Sequence, residues 1–112
     1  MSNHVIVISE WLPKKDRHND LLKVFKELAA ITMQKEKDCI RYSVTQQVEH
    51  PGAPGKSKFT IILIQEYSNP KAFDAHCVSE HVQAFAKKYF EDDNSLIEDW
   101  QCRLFSPEAL TA

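Results

Sequence analysis

The sequence contains few of the residues that mark nucleotide-binding, disulfide-stabilised or metal-binding domains. Only two of its 112 residues are glycine, and both lie within residues 50–57. No glycine-rich loop leads into a helix, which excludes the usual phosphate-binding fingerprint of nucleotide and flavin proteins. The three cysteines, Cys39, Cys77 and Cys102, form no CxxC pair, so a zinc knuckle or a thioredoxin-type redox site is not indicated. We expect each of them to be a reduced, small core residue in a cytoplasmic protein.

The chain also lacks a long apolar run and an excess of positive charge. Its 14 Lys and Arg residues against 16 Asp and Glu residues give a net charge of −2. Nucleic-acid binders need a basic surface to neutralise phosphates, so we do not expect a nucleic-acid partner. The start of the sequence has no basic segment followed by a long apolar one, and we expect neither a signal peptide nor a membrane span. A hydrophobic content of 43 % indicates one globular domain over residues 1–112.

Alternation and helical periodicity predict an α+β fold. Four segments are typical of strands (residues 5–12, 39–48, 59–67 and 96–105). Apolar residues recur at helical spacing over residues 16–37 and again from residue 70. The second periodicity is interrupted at Ser79 and continues as an apolar stripe that ends at Tyr89. The order β-α-β-β-α-β is that of the ferredoxin-like fold with an antiparallel sheet. The first and third strands are apolar at consecutive positions, so we place them at the centre of the sheet.

Two helices cover only one face of such a sheet. The other face would leave apolar side chains in water, which soluble monomers rarely tolerate over a large area. We therefore expect a homodimer in which two sheets pack face to face, forming a dimeric α/β barrel around a small enclosed cavity.

Residues 65–82 carry a motif, read as Q-E-Y-S-N-P-K-A-F-D-A-H-C-V-S-E-H-V. The motif resembles the antibiotic biosynthesis monooxygenase domain of the dimeric α/β barrel superfamily. In that pattern an aromatic residue ends the third strand, an Ala-aromatic pair and a His follow on the helix, and a second His follows a Ser/Thr bend. Those places are filled here by Tyr67, Ala72-Phe73, His76 and His81. Residues 39–44 resemble the second strand of the family.

Two departures from related patterns are visible in the sequence. The acid that usually stands two places before the strand-ending aromatic is replaced by Gln65, with Glu66 displaced by one residue. The haem-degrading branch uses an Asn, a Trp and a haem-ligating His at places that appear here as Glu10, Tyr67 and Ala86. A haem oxygenase is therefore disfavoured.

The resemblance implies a cofactor-independent monooxygenase acting on a small quinol-like or phenolic substrate. The same fold also carries isomerases of small hydroxy-carbonyl molecules and non-catalytic ligand-binding or stress-response dimers, and these stay open as alternatives. Exposure of His76 and Tyr67 to solvent would favour a non-catalytic protein, whereas oxygen consumption separates an oxygenase from an isomerase.

The candidate catalytic residues are His76 as the proton-transfer group, with His81 and Tyr67 as support, because imidazole exchanges protons near neutral pH. Six further residues are candidates for substrate binding: Glu10, Trp11, Tyr42, Glu66, Phe73 and Trp100. The competing interpretation is that the aromatic members belong to the core or an interface, and that the two carboxylates form ion pairs with Arg41 and Arg103 across the sheet.

The sequence does not predict a metal site. On a continuous helix, His76 and His81 lie about 140° apart around the axis and so do not share a face. Only a bend at Ser79 would bring the two rings together, and the sequence offers no evident third ligand.

Overall fold

The computed structural model describes residues 3–91 and 95–107. Four strands and three helices follow one another along this part of the chain: β1 (Val5–Pro13), α1 (His18–Lys35), β2 (Cys39–Gln46), β3 (Ile61–Tyr67), α2 (Pro70–Cys77), α3 (Glu80–Phe90) and β4 (Ile97–Phe105). The predicted pause at Ser79 divides the second helical segment into α2 and α3. The end of helical periodicity expected at residues 91–94 falls almost entirely outside the described residues.

The four strands form one sheet in the order β2-β3-β1-β4, and every neighbouring pair is antiparallel. The two strands whose sequences are apolar at consecutive positions, β1 and β3, lie at the centre, as predicted. With the helices on one side, this arrangement confirms the α+β, ferredoxin-like fold class.

Strand alternation gives the sheet two different faces. On β1, alternate residues from Val5 to Pro13 are buried and the residues between them are half-buried, and β3 repeats this pattern from Ile61 to Tyr67. The buried set faces the helices. The intervening set lies on the opposite face, which no helix of the described chain covers, because successive side chains of a strand point to opposite faces.

The main core lies between the sheet and helices α1 and α3. Phe25 of α1 is fully buried, and its ring centroid is 4.9 Å from that of Trp11 and 5.7 Å from that of Phe85. Leu21 and Ile61 are also fully buried in this cluster. The aromatic contacts hold α1 and α3 against the sheet and so fix where the ends of these helices lie.

Two capped helix starts set the positions of the histidines. The side chain of Asn69 accepts a hydrogen bond from the backbone N–H of Ala72 at 2.8 Å, and Pro70 occupies the first turn of α2. Ser79 caps α3 in the same way through the backbone N–H of Val82. The change of direction between the helices places His76 in the last turn of α2 and His81 in the first turn of α3.

The cysteine prediction is correct only for Cys39, which is buried, because Cys77 and Cys102 are exposed. Cys77 is the last residue of α2, and Cys102 lies on the edge strand β4. The connection at residues 50–57 is exposed and lines a hollow of its own. Within the described residues, no helix is long and apolar enough to span a bilayer.

Candidate functional site

A cavity of about 200 Å³ lies between the helix-facing side of the sheet and the helices. This cavity lies within a single chain, and the cavity expected between the two sheets of a dimer stays a prediction. Small side chains in both layers, Ser9 on the sheet and Ala86 on α3, leave this space among larger neighbours. The lining residues come from all four strands and all three helices: Val7, Ser9, Trp11, Phe25, Leu28, Tyr42, Leu63, Gln65, Phe73, His76, Cys77, Val82, Phe85, Ala86, Phe90, Trp100 and Cys102.

Aromatic rings form much of the cavity wall. Trp11 and Trp100 stack with ring centroids 4.9 Å apart, and Phe90 stacks on Trp100 at 5.3 Å. Tyr42 and Phe73, also predicted from the sequence, line the cavity with them. The surface is suited to a flat, apolar or aromatic molecule, since ring faces stack favourably on planar groups.

His76 is the titratable imidazole that lines this cavity. Its side chain is 8 % exposed, and its Nδ1 lies 2.8 Å from Oε2 of Glu36. Burial lowers the pKa of His76, while the Glu36 carboxylate opposes this in part. A neutral imidazole beside a carboxylate donates its Nδ1–H, which leaves the lone pair on Nε2. With Nδ1 engaged by Glu36, Nε2 is the ring atom left to accept a proton.

His81 lies next to this pair but not in the cavity. Its Nε2 is 2.5 Å from the same Glu36 oxygen and 3.2 Å from Oγ of Ser79. The bend at Ser79 changes the direction of the chain between α2 and α3. It brings the two imidazoles together, with their ring centroids 6.0 Å apart. The rest of the His81 environment is a surface groove of about 400 Å³ between α1 and α3.

Sequence reasoning missed Glu36 as part of the site. This residue follows the last turn of α1 and is 40 residues from His76 and 45 from His81 in sequence. No local spacing rule connects positions so far apart. The sequence showed only that Glu36 is an acidic residue between a predicted helix and a predicted strand. Such residues are ordinarily solvated surface groups, so this position alone did not indicate a site.

Tyr67 is fully buried and its hydroxyl donates to Oε1 of Gln65 at 2.5 Å. Burial is the main cause that raises the pKa of Tyr67, so its hydroxyl stays protonated at neutral pH. Gln65 lines the cavity, whereas Tyr67 lies behind it with its ring centroid 5.1 Å from that of His76. Because the Gln65 oxygen is engaged by Tyr67, its amide NH₂ group is the part of this side chain available as a donor.

Glu10 and Glu66 do not line this cavity, and their part in substrate binding stays a prediction. Both lie on the sheet face opposite the helices, one strand position away from cavity residues. Glu10 accepts from Arg103 at 2.7 Å and from Gln101 at 3.0 Å, and Glu66 contacts Nδ1 of His4 at 2.7 Å. The Glu10–Arg103 ion pair is the alternative that the sequence left open for this carboxylate.

The fold and site define a ferredoxin-like α+β domain with an aromatic cavity beneath its helices and a buried His–carboxylate pair at the cavity wall. The chain belongs to the antibiotic biosynthesis monooxygenase family, whose family model matches residues 4–88. A search of the curated proteins finds no match.

Solved structures with the same fold share little sequence with this chain. A candidate antibiotic biosynthesis monooxygenase from Caulobacter crescentus CB15 is 14 % identical, with a TM-score of 0.77 over 96 % of this chain and 92 % of that one. Rv0793 from Mycobacterium tuberculosis is 18 % identical, with a TM-score of 0.75 over 97 % and 99 %. A dimeric protein with a ferredoxin-like fold from Bacteroides fragilis NCTC 9343 is 18 % identical, with a TM-score of 0.71 over 93 % and 96 %.

Proposed function

We propose that this protein is a cofactor-independent monooxygenase that acts on a small quinol-like or phenolic molecule bound in the aromatic cavity. The observation that carries the proposal is the His76–Glu36 pair, with a buried neutral imidazole that lines an apolar cavity. Family membership supports monooxygenase chemistry in general. The small-phenol class is supported by the stacked aromatic walls and by a cavity volume of about 200 Å³.

In the proposed reaction, Nε2 of His76 removes the proton from a phenolic hydroxyl. The resulting phenolate is electron-rich, and it transfers electrons to O₂ directly. One oxygen atom then forms a bond to a ring carbon, the O–O bond and the C–H bond of that carbon break, and the other oxygen leaves as water with two hydrogens from the substrate, which becomes a quinone. Burial of the site favours this chemistry, because an apolar wall excludes bulk water from the reactive anion.

Several groups support His76 in this scheme. Glu36 holds the imidazole in the Nδ1–H tautomer and stabilises the imidazolium that forms when Nε2 takes the proton. The amide of Gln65 is a donor for the developing oxyanion, and Tyr67 fixes its orientation through the 2.5 Å hydrogen bond. His81 assists from outside the cavity by sharing the Glu36 carboxylate.

A base of this kind also suits an isomerase, which removes a proton from a carbon next to a carbonyl group. The aromatic cavity wall is the observation that favours the phenolic substrate over a hydroxy-carbonyl compound. The condition set for a non-catalytic protein, solvent exposure of His76 and Tyr67, is not met, because they are 6 % and 0 % exposed.

We also propose that the protein works as a homodimer joined through the uncovered sheet face. Four isoleucines of the central strands lie on that face, Ile6 and Ile8 on β1 and Ile62 and Ile64 on β3, and Ile8 pairs directly with Ile64. The Glu10–Arg103 and Glu66–His4 pairs on the same face provide a polar rim. A second copy would bury this apolar centre, and a dimeric protein of the same fold supports the arrangement.

The proposal is tested by oxygen uptake with a panel of reduced mono- and bicyclic quinols, comparing the native protein with His76→Ala. We expect uptake with at least one quinol that exceeds autoxidation and is lost in the variant. Turnover of a hydroxy-carbonyl compound without oxygen uptake would support the isomerase instead. Binding of the quinols with no turnover would support the non-catalytic alternative.

A further inference from the structure

We propose that Glu36, His76 and His81 form a binding site for a divalent transition-metal ion such as Zn²⁺. The sequence argued against a metal on two premises, a continuous helix and the lack of a third ligand. The bend at Ser79 removes the first premise, and the carboxylate of Glu36 removes the second. One ligand atom from each of the three residues lies within 4.8 Å of the other two.

The spacing suits a small tetrahedral ion. Zn²⁺ binds His nitrogens and carboxylate oxygens at about 2.0–2.2 Å, so neighbouring ligand atoms of a tetrahedral site lie ~3.3 Å apart. The present separations are 2.8 Å from Glu36 Oε2 to His76 Nδ1 and 2.5 Å to His81 Nε2. Accommodating the ion therefore requires the two contacts to widen by less than about 1 Å each. Two imidazoles with one carboxylate are a donor set that occurs in zinc enzymes, with a fourth position left for water.

The charge of the cluster also favours a bound cation. The Glu36 side chain is only 15 % exposed, and its ion-pair partners among the described residues are the two histidines, with no Lys or Arg. Some other carboxylates of the described chain do have such a cation, as in the Glu10–Arg103 and Asp99–Lys58 pairs. The largely buried Glu36 carboxylate therefore has no Lys or Arg among the described residues to balance its negative charge, and a divalent cation would compensate it.

An ion can reach the cluster without crossing the substrate cavity. Glu36 lines a hollow of about 230 Å³ beyond the end of α1, and His81 lines the groove between α1 and α3. The metal-binding atom of His76, Nδ1, is directed to this side through its contact with Glu36.

Metal binding has a consequence for catalysis that rests on the proposed function. A metal on Nδ1 leaves the remaining ring proton on Nε2, so the metal-bound imidazole no longer offers a lone pair to the cavity. The metal-loaded protein is therefore an inhibited form, and the metal-free protein is the active one.

The test is calorimetric titration of untagged, chelator-treated protein with Zn²⁺ at neutral pH. We expect the native protein to bind one ion per chain, and Glu36→Gln and His81→Ala each to weaken binding by ~100-fold or more. Glu66→Gln is the matched control, since it removes the carboxylate from a His–carboxylate pair on the opposite sheet face and should leave the affinity unchanged. A cooperative thermal unfolding transition shows that each variant is folded. If Glu36→Gln does not fold, His81→Ala alone tests the site.

Zn²⁺ also binds thiolates, so the double variant Cys77→Ser, Cys102→Ser is titrated as well. Binding lost in this variant, or retained at native affinity in Glu36→Gln and His81→Ala, would overturn the site, as would failure of the native protein to bind Zn²⁺. Oxygen uptake in the presence of Zn²⁺ separates the two proposals: uptake that persists with bound metal contradicts the base role of His76 and leaves the metal site intact.

Discussion

At the scale of single residues, the proposed function depends on how Glu36 holds His76. The carboxylate contacts Nδ1 at 2.8 Å, and this contact selects the tautomer with a free lone pair on Nε2. Replacing Glu36 by Gln keeps the shape of the side chain but removes its charge and permits the opposite tautomer. We expect Glu36→Gln to lower kcat about 10- to 100-fold with little change in KM, because a general base contributes on this order.

The measurement is steady-state oxygen uptake with a quinol that the native protein turns over. Asp20→Asn, which neutralises an exposed carboxylate in the first turn of α1, is the control and should retain native kcat. Equal kcat values for Glu36→Gln and the native protein would show that the carboxylate does not orient the base.

The lowered pKa of His76 predicts a pH dependence of stability. Burial lowers this pKa below its ordinary value near 6.5, and the facing groups are Glu36, which raises it, and His81, which lowers it. Below about pH 6.5 the unfolded chain binds a proton at this position more readily than the folded chain does. The contribution of neutral His76 to the free energy of unfolding is therefore fully present above that pH. This contribution is lost as the pH falls through the folded-state pKa.

Urea unfolding across the range from about pH 5 to pH 7.5, with chelator present, measures this effect. As the pH is lowered, we expect the free energy of unfolding of the native protein to decrease more steeply than that of His76→Gln, because glutamine does not titrate in this range. Parallel curves for the two proteins would mean that the pKa of His76 is the same in the folded and unfolded states.

At the scale of helices and strands, the bend between α2 and α3 brings the site together. Ser79 Oγ donates to the His76 carbonyl at 2.7 Å and caps the start of α3, while also lying 3.2 Å from His81 Nε2. Loss of an N-cap hydroxyl typically costs ~1 kcal/mol. We expect Ser79→Ala to lower the free energy of unfolding by about this amount, measured by urea denaturation, whereas Ser106→Ala on the surface should have almost no effect. A Ser79→Ala protein as stable as the native one would show that the cap contributes nothing to the bend.

The sequence predicted the elements well because their signals are local. Consecutive apolar residues identified β1 and β3 as central strands, and the interruption of helical periodicity at Ser79 predicted the division between α2 and α3. Glu36 and the position of the cavity were not predictable in this way. Glu36 meets His76 only through the packing of α1 and α2 against the sheet, and the faces of Glu10 and Glu66 depend on strand register, which the sequence specifies weakly.

At the scale of the whole molecule, the uncovered sheet face is the proposed interface of the homodimer. Ile8 pairs directly with Ile64 at the centre of that face. A glutamate at position 8 would place a charge in the proposed interface, where no partner compensates it. We expect Ile8→Glu to be monomeric in analytical ultracentrifugation under conditions where the native protein is a dimer.

Ala30→Glu is the matched control, because it adds the same charge to an exposed position of α1. This variant should remain dimeric. A dimeric Ile8→Glu protein, or a monomeric native protein, would contradict the proposed interface.

The central claim, that His76 initiates oxygen insertion into a molecule bound in the cavity, is tested most directly by turnover under ¹⁸O₂. Mass spectrometry of the product should show one labelled oxygen atom with the native protein and no labelled product above background with His76→Ala. A product without label, or labelled product formed equally by both proteins, would contradict the account.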